Sequence, residues 1–318
     1  MNHGLKAKTI KAILRKKVDE WLASIEDESL RKDCAKEVVV TGGCIASMLL
    51  GETVNDFDVY LRKKETVRKL AEYYCERFKA IKSAQGGVPY DVFVEDLKDT
   101  RGKDRVRLVV QSAGVASADA ESDYKYFESR PDHEAGDYVS EAFDPLSEVA
   151  DIVEPIKEEL AEGTPYEPSF ISSNAISLKG KVQIVVRFFG DPDEIHENYD
   201  FDHCKNYWEA STGKLTLRPE ALEALLSKTL AYSGSLYPLC SVIRTRKFIE
   251  RGWRINAGQY LKMSMQLSDL DLKNPAVLEE QLTGVDAAYF AQVIQRVKDK
   301  DPNRVDAAYL TEIIDRMF

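Results

Sequence analysis

The chain has 318 residues, 44% of them hydrophobic and 31% charged, which suits a globular protein of two domains and excludes a fibrous or low-complexity chain. No apolar run is long enough to span a bilayer, and the basic start (Lys6, Lys8, Lys11, Arg15, Lys16, Lys17) is not followed by the apolar stretch of a secretory signal. The net charge of −10 is concentrated: residues 111–170 carry 16 acidic and three basic side chains, net −13, which leaves +3 on the rest. That remainder can face a polyanion without global repulsion. Five scattered cysteines with no C-x-x-C pair predict free thiols in a reducing, cytoplasmic setting.

Apolar residues recur at helical spacing over residues 5–25 (Ile10, Leu14, Val18, Trp21, Ile25), and a shorter helix is expected over 28–35. Residues 1–35 therefore read as helices packed on the domain that follows. The most informative stretch is Glu37 to Arg62. Val38 to Thr41 has strand character, Gly42 and Gly43 follow, and Ile45 to Leu50 is a short apolar helix closed by Gly51. A polar turn then leads to a second strand, Asp56 to Leu61. Strand side chains alternate between faces, so Asp56 and Asp58 share one side about 7 Å apart, while Phe57, Val59 and Leu61 enter a core. Paired carboxylates repel each other, and a hard cation such as Mg²⁺ removes that cost. Two glycines at the start of a helix let backbone N–H groups approach a phosphate.

Further along, a helix is predicted over 65–79, a turn at Gly86–Pro89, and strands over Tyr90–Val94 and Val106–Val110. An acidic insertion occupies about 112–168, with helical character near 145–160. A hairpin is expected from Phe170–Leu178 and Lys181–Phe188, then a helix from the Asp191 cap to Asn198, and a strand over Tyr199–Cys204. His196 reads as a surface residue and His203 with Cys204 as a partly buried pair, since their spacing matches no zinc site. A helix is predicted over Glu220–Tyr232 with Leu222, Leu225, Leu226 and Leu230 on one side. Another runs from Pro238 to Gly252 with Arg244, Lys247 and Arg251 on one face. Near the end, Val285-Asp286-Ala287-Ala288-Tyr289-Phe290 recurs as Val305-Asp306-Ala307-Ala308-Tyr309-Leu310, which predicts two similar amphipathic helices and a surface for a partner protein.

The order strand, Gly42-Gly43, helix, turn, Asp56-x-Asp58 strand resembles the signature of the polymerase-β-like nucleotidyltransferase superfamily. The helix PLCSVIRTRKFIERGWRIN is similar to the neck helix of its tRNA nucleotidyltransferase and poly(A) polymerase branch. Phe170 with Asn174-Ala175-Ile176 is similar to that branch's Asp-Phe-Thr-x-Asn-Ala strand, without the aspartate and threonine. The neck's Glu-Asp-x-x-Arg element is absent.

The resemblance implies an α+β fold, a mixed sheet flanked by helices over 36–217 and a helical C-terminal domain over 218–318, with the active cleft between them. It implies transfer of a nucleoside monophosphate from a nucleoside triphosphate to an acceptor hydroxyl, an RNA or tRNA 3′ end being favoured. Two Mg²⁺ ions, or Mn²⁺, would be held by Asp56, Asp58 and a third carboxylate on a later strand. Asp200 is the first choice for that ligand and Asp202 the second. Gly42, Gly43 and Ser47 would contact the triphosphate, and Arg244, Lys247 and Arg251 would neutralise its tail. The alternative is an inactive nucleotide- or partner-binding protein of the same fold.

Overall fold

The computed structural model describes residues 4–84, 90–99, 101–112 and 166–281, together with Tyr309 and Thr311. The acidic segment between 113 and 165, the turn at 86–89 and all of the tail repeats except Tyr309 lie outside the described residues. The architecture is α+β, a mixed seven-stranded sheet flanked by helices.

The chain opens with α1 (Ala7–Ala23) and α2 (Glu28–Glu37), then β1 (Val39–Thr41), α3 (Gly43–Leu50), β2 (Phe57–Tyr60) and α4 (Lys64–Ala84). β3 (Tyr90–Lys98) and β4 (Asp104–Ser112) form a separate two-stranded sheet packed on α4. After the acidic segment come β5 (Pro168–Ile171), β6 (Ala175–Leu178) and β7 (Val182–Val185), then α5 (Pro192–His196), β8 (Tyr207–Glu209) and β9 (Lys214–Thr216). The main sheet runs β5-β6-β7-β2-β1-β8-β9, and only the β2–β7 pair is parallel. The remaining elements are α6 (Pro219–Ser227), β10 (Thr229–Leu230), α7 (Pro238–Glu250), β11 (Arg254–Ile255), α8 (Ala257–Ser268) and α9 (Pro275–Gln281).

The apolar stripe of α1 explains its place. Ile10, Leu14, Val18 and Trp21 are buried in one cluster with Val40, Val59 and Leu61 of the sheet. Each such side chain contributes about 1.5–3 kcal/mol by leaving water. The indole of Trp21 donates to Tyr74 Oη at 3.0 Å, so its burial leaves no unpaired N–H and α1 is tied to α4. Val39 lies on the other sheet face, with Tyr60 and Ile195. One face of β1 and β2 therefore makes the core, and the opposite face carries Thr41, Asp58 and Tyr60.

Several expected elements are redrawn. The stretch Phe170–Leu178 is not one strand but part of β5 and then β6, antiparallel to each other. Ser172 explains the break: its Oγ accepts from the backbone N–H of Ala175 at 3.1 Å, and its own N–H donates to Ala175 O at 2.9 Å. The helix expected over 220–232 stops at Ser227, because Lys228 takes a left-handed conformation (φ 47°). Leu226 consequently points outward, 89% exposed, and Leu230 belongs to β10. β10 pairs in parallel with β11, so the segment after 218 is not all helical. No strand forms over Tyr199–Cys204. Phe201 makes a single bridge to Tyr232, and Asp202–Cys204 is a 3-10 turn. The strand beside β1 is β8 instead, which the sequence reading missed.

A second core joins the two halves. Ala46 of α3 packs with Phe201, Leu225, Leu230, Tyr232, Trp253 and Met263. The helical segment is thereby held against the helix that follows the two glycines.

Candidate active site

Gly42 has φ 95°, a region that L side chains avoid, and a Cβ there would stand 2.6 Å from Asp58 Oδ2. Thr41 and Asp58 are register partners across β1 and β2, so the turn after β1 runs directly over the Asp58 carboxylate. The Gly42 N–H donates to Cys204 O at 3.1 Å. Gly43 opens α3, nothing stands within 4 Å of where its Cβ would be, and no side chain caps the helix. The space beside Gly43 at the start of α3 is thus free of crowding atoms, which suits the approach of a phosphate oxygen to a helix N-terminus. Gly42→Ala is expected to cost about 1–3 kcal/mol from backbone strain alone. Denaturant unfolding checks this, and an unchanged midpoint would mean that the turn relaxes.

Asp58 is half-buried and Asp56 lies exposed at the rim. No lysine or arginine pairs with either among the described residues. Burial raises the Asp58 carboxyl well above the ordinary range, and the neighbouring Asp56 charge adds to it. Asp56 keeps contact with solvent, yet crowding by protein on its inner side pushes its carboxyl upward too. Two carboxylates with no counter-charge among the described residues, beside a helix N-terminus, form a hard oxygen donor set that fits a divalent cation sharing a phosphate.

Around this pair the structure adds residues that sequence reasoning did not single out. Tyr60 shares the Asp58 face, and Tyr199 Oη donates to Tyr60 Oη at 3.0 Å. The Tyr199 hydroxyl would lie 3.4 Å from a Cβ at Gly42. The position two residues after Asp58 was the available signal for Tyr60; Tyr199 had none.

His196 is not on the surface. It is 5% exposed, and its Nε2 lies 2.8 Å from Thr41 Oγ1. Thr41 Oγ1 also donates to Asn206 O at 2.8 Å. Since the hydroxyl has one proton, His196 Nε2 carries the hydrogen and donates to Thr41, leaving Nδ1 as a buried acceptor without a partner. Burial first, then the Arg218 and Lys205 charges, lower its pKa to about 3, so the ring is neutral. This buried group fixes the end of β1, one residue before Gly42.

The other expected contacts separate into two places. Gly43, Ser47 and Arg251 line one small cleft with Ala46, Leu50, His203, Phe248 and Trp253. Arg251 is not free there: its guanidinium donates to Glu52 at 2.8 Å and reaches Ser47 Oγ at 3.4 Å, and Lys228 pairs with the same Glu52 at 3.0 Å. Lys247 is exposed and has no ion pair among the described residues.

Asp200 is buried and accepts from Arg244 at 2.5 Å, and Asp202 pairs with Lys205 at 2.8 Å. Neither lies on a strand beside β2. That neighbour is β7, whose residue opposite Asp58 is the neutral Gln183. Among the described residues no three His, Cys, Asp or Glu side chains gather as a metal-binding group. The structure therefore brings Asp58 and Gly42 together at the start of α3, with Asp56 two residues away, and places Asp200 in an ion pair with Arg244.

The family model described as Gabija anti-defense 2 family protein matches residues 12–228. A curated relative, "Gabija anti-defense 2" of Bacillus phage SPbetaL7, is 23% identical over 130 residues, 40% of this chain. The match spans 32% of that relative, about a third of its length. Among solved structures, the CCA-adding enzyme of Thermotoga maritima complexed with tRNA is similar at 12% identity and TM-score 0.37, over 88% of this chain and 54% of that one. A tRNA-processing enzyme is similar in an apo form (13%, TM-score 0.35, 85% and 57% covered) and with CTP (12%, TM-score 0.36, 91% and 57% covered).

Proposed function

The chain belongs to the Gabija anti-defense 2 family, and from that premise we propose that it is a nucleotidyltransferase, moving a nucleoside monophosphate from a nucleoside triphosphate to an acceptor hydroxyl. The observation that carries the reading is the Asp56–Asp58 pair, without a basic partner among the described residues, set directly under the glycine turn that opens α3. A plain structural unit has no use for two carboxylates that raise each other's ionisation cost. The family description fits a setting in which the acceptor belongs to, or feeds, a Gabija defence. An RNA 3′ end is the acceptor class proposed first.

Asp56 and Asp58 would hold the divalent cation, Mg²⁺ or Mn²⁺. When bound, it supplies positive charge to phosphate oxygens and to the leaving pyrophosphate. The chain's own groups do the rest. Backbone N–H groups at Gly43 and the α3 N-terminus bind and orient phosphate oxygens. His196 and Thr41 keep the preceding strand end rigid, so that these donors do not have to reorganise. Tyr60 and Tyr199 close the inner side of Asp58 against solvent. Arg244 and Lys247 lie on α7, and their positive charges attract the phosphate tail.

The test is incubation of the purified protein with each labelled nucleoside triphosphate, Mg²⁺ and total RNA or total protein from a Gabija-bearing host. Label in the RNA fraction supports the reading as stated, and label in protein changes the acceptor. No label from any triphosphate, with the protein folded, refutes it. Within this reading Lys247→Ala is expected to weaken triphosphate binding about three- to tenfold with no change in melting temperature, since the side chain is exposed and has no ion pair among the described residues. Calorimetric titration decides, and unchanged affinity returns Lys247 to ordinary surface charge.

A further inference from the structure

The carboxylates of this region fall into two kinds. Asp56 and Asp58 meet no cation among the described residues, whereas Asp200 and Asp202 are already neutralised by Arg244 and Lys205. A metal ligand needs free lone pairs facing a shared point with the other ligands. In Asp200 one carboxylate oxygen is already taken by Arg244 at 2.5 Å, and the strand beside β2 opposite Asp58 is β7, which does not carry Asp200.

Both partners of this ion pair are fixed from behind. Asp200 O accepts from Ser233 N at 2.9 Å, and Phe201 bridges to Tyr232. Arg244 stands on α7, whose Thr245 and Ser241 hydroxyls bond back to the helix. The exposure of the two is unequal. The Asp200 side chain is 12% exposed and the Arg244 side chain 39%. The acid is thus the buried anchor, and the guanidinium is the end that meets solvent. Of its five N–H donors, one is shown engaged with Asp200, and a guanidinium is suited to take phosphate oxygens with the others. Asp200 directly follows Tyr199, whose hydroxyl donates to Tyr60 Oη at 3.0 Å on the sheet face that carries Asp58.

We infer that Asp200 is a positioning residue, which holds the Arg244 guanidinium ready for the phosphate tail of a triphosphate, and that it does not ligate the cation held by Asp56 and Asp58. This rests on the proposed function for its ligand class. The pair would act as one unit. Without Asp200 the guanidinium swings freely, and without Arg244 the buried carboxylate repels phosphate.

Two titrations on the full chain test it. The first follows Mn²⁺ binding by electron paramagnetic resonance, with no phosphate present. The second follows inorganic tripolyphosphate binding by calorimetry at fixed Mg²⁺, which needs no knowledge of the base. Asp200→Asn is expected to leave Mn²⁺ affinity within about twofold of the parent, while Asp58→Asn weakens it at least about tenfold. Asp200→Asn and Arg244→Gln are each expected to weaken tripolyphosphate about tenfold, and the double variant no further, because the two residues act together. Arg244→Lys, which keeps charge but not the planar fork, should recover only part of the affinity. Melting temperatures accompany each variant.

Loss of Mn²⁺ affinity in Asp200→Asn equal to that in Asp58→Asn would make Asp200 a ligand and overturn the inference. So would losses that multiply in the double variant, since that means independent contacts. If the parent binds no Mn²⁺, the tripolyphosphate cycle alone decides. Coupled loss of tripolyphosphate in a protein that transfers no nucleotide would leave this inference standing and remove the proposed function.

Discussion

Asp58→Asn is expected to abolish nucleotide transfer, by at least about a thousandfold, while the protein stays folded. The substitution keeps size and removes the half-buried charge of a carboxylate pair with no counter-ion among the described residues. The sign of the stability change follows from the raised carboxyl. A carboxylate whose pKa is higher in the folded state loses stability as pH rises through that range, because ionisation is penalised only after folding. At neutral pH the parent bears this penalty and the variant does not, so without metal the variant should melt at the same temperature or higher. Addition of Mg²⁺ should reverse the order. The parent gains stability by binding, and the variant gains little. Melting curves with and without Mg²⁺, set beside transfer rates, give the answer. Near-normal transfer by Asp58→Asn would remove the carboxylate pair from the chemistry.

The second large effect is acid lability. His196 and His203 are both buried, and burial lowers their pKa values from 6.5 to about 3 and about 4. For His196 the Arg218 and Lys205 charges add to burial and Asp193 opposes it. For His203 the Asp200, Asp202 and Glu52 charges oppose burial and Arg251 adds to it. A depressed histidine contributes stability that is complete above the unfolded value and is lost as pH falls toward the folded one. The window therefore opens near pH 6.5 and runs down through pH 4. Each ring costs about 1.4 kcal/mol per pH unit in that window, or about 2 kcal/mol by pH 5. Two rings together approach half the stability of a typical domain.

Unfolding free energies at pH 7.5, 6.5, 5.5 and 5.0 should fall accordingly, above the range where ordinary carboxylates titrate. His196→Gln should be less stable at pH 7.5, because the Thr41 bond is disturbed, yet show a shallower pH slope. A slope in the variant equal to that of the parent would mean that His196 is not held neutral. Since Thr41 precedes Gly42, protonation at His196 should loosen the glycine turn before the rest of the sheet. Hydrogen exchange at Gly42 and Gly43 against Val40 reads that order.

How much of this was legible in the sequence depends on how far apart the parts lie. The glycine turn, α3, Asp56 and the β2 strand that starts one residue after it come from one continuous stretch, where strand alternation places Asp58 opposite the core without any tertiary knowledge. The α1 stripe and the Pro238 helix were legible for the same reason. The other parts of the site join residues remote in sequence. Thr41 meets His196 across 155 positions, and Tyr60 meets Tyr199 across 139. No periodicity reports such a pairing, so His196 read as a surface residue until the fold buried it.

The chain alone determined the parts of the candidate site: two glycines, two carboxylates and their spacing follow from local backbone geometry. Tertiary structure decided which carboxylates remain free. Asp200 and Asp56 are the same residue type, and the difference is that α7 brings Arg244 to one and no described element brings a cation to the other. It also decided which strand borders β2, through long-range pairing that gave the place to β7 and set Gln183 opposite Asp58. Charge neutralisation and sheet order both depend on contacts between distant segments, and such contacts leave no local pattern to read.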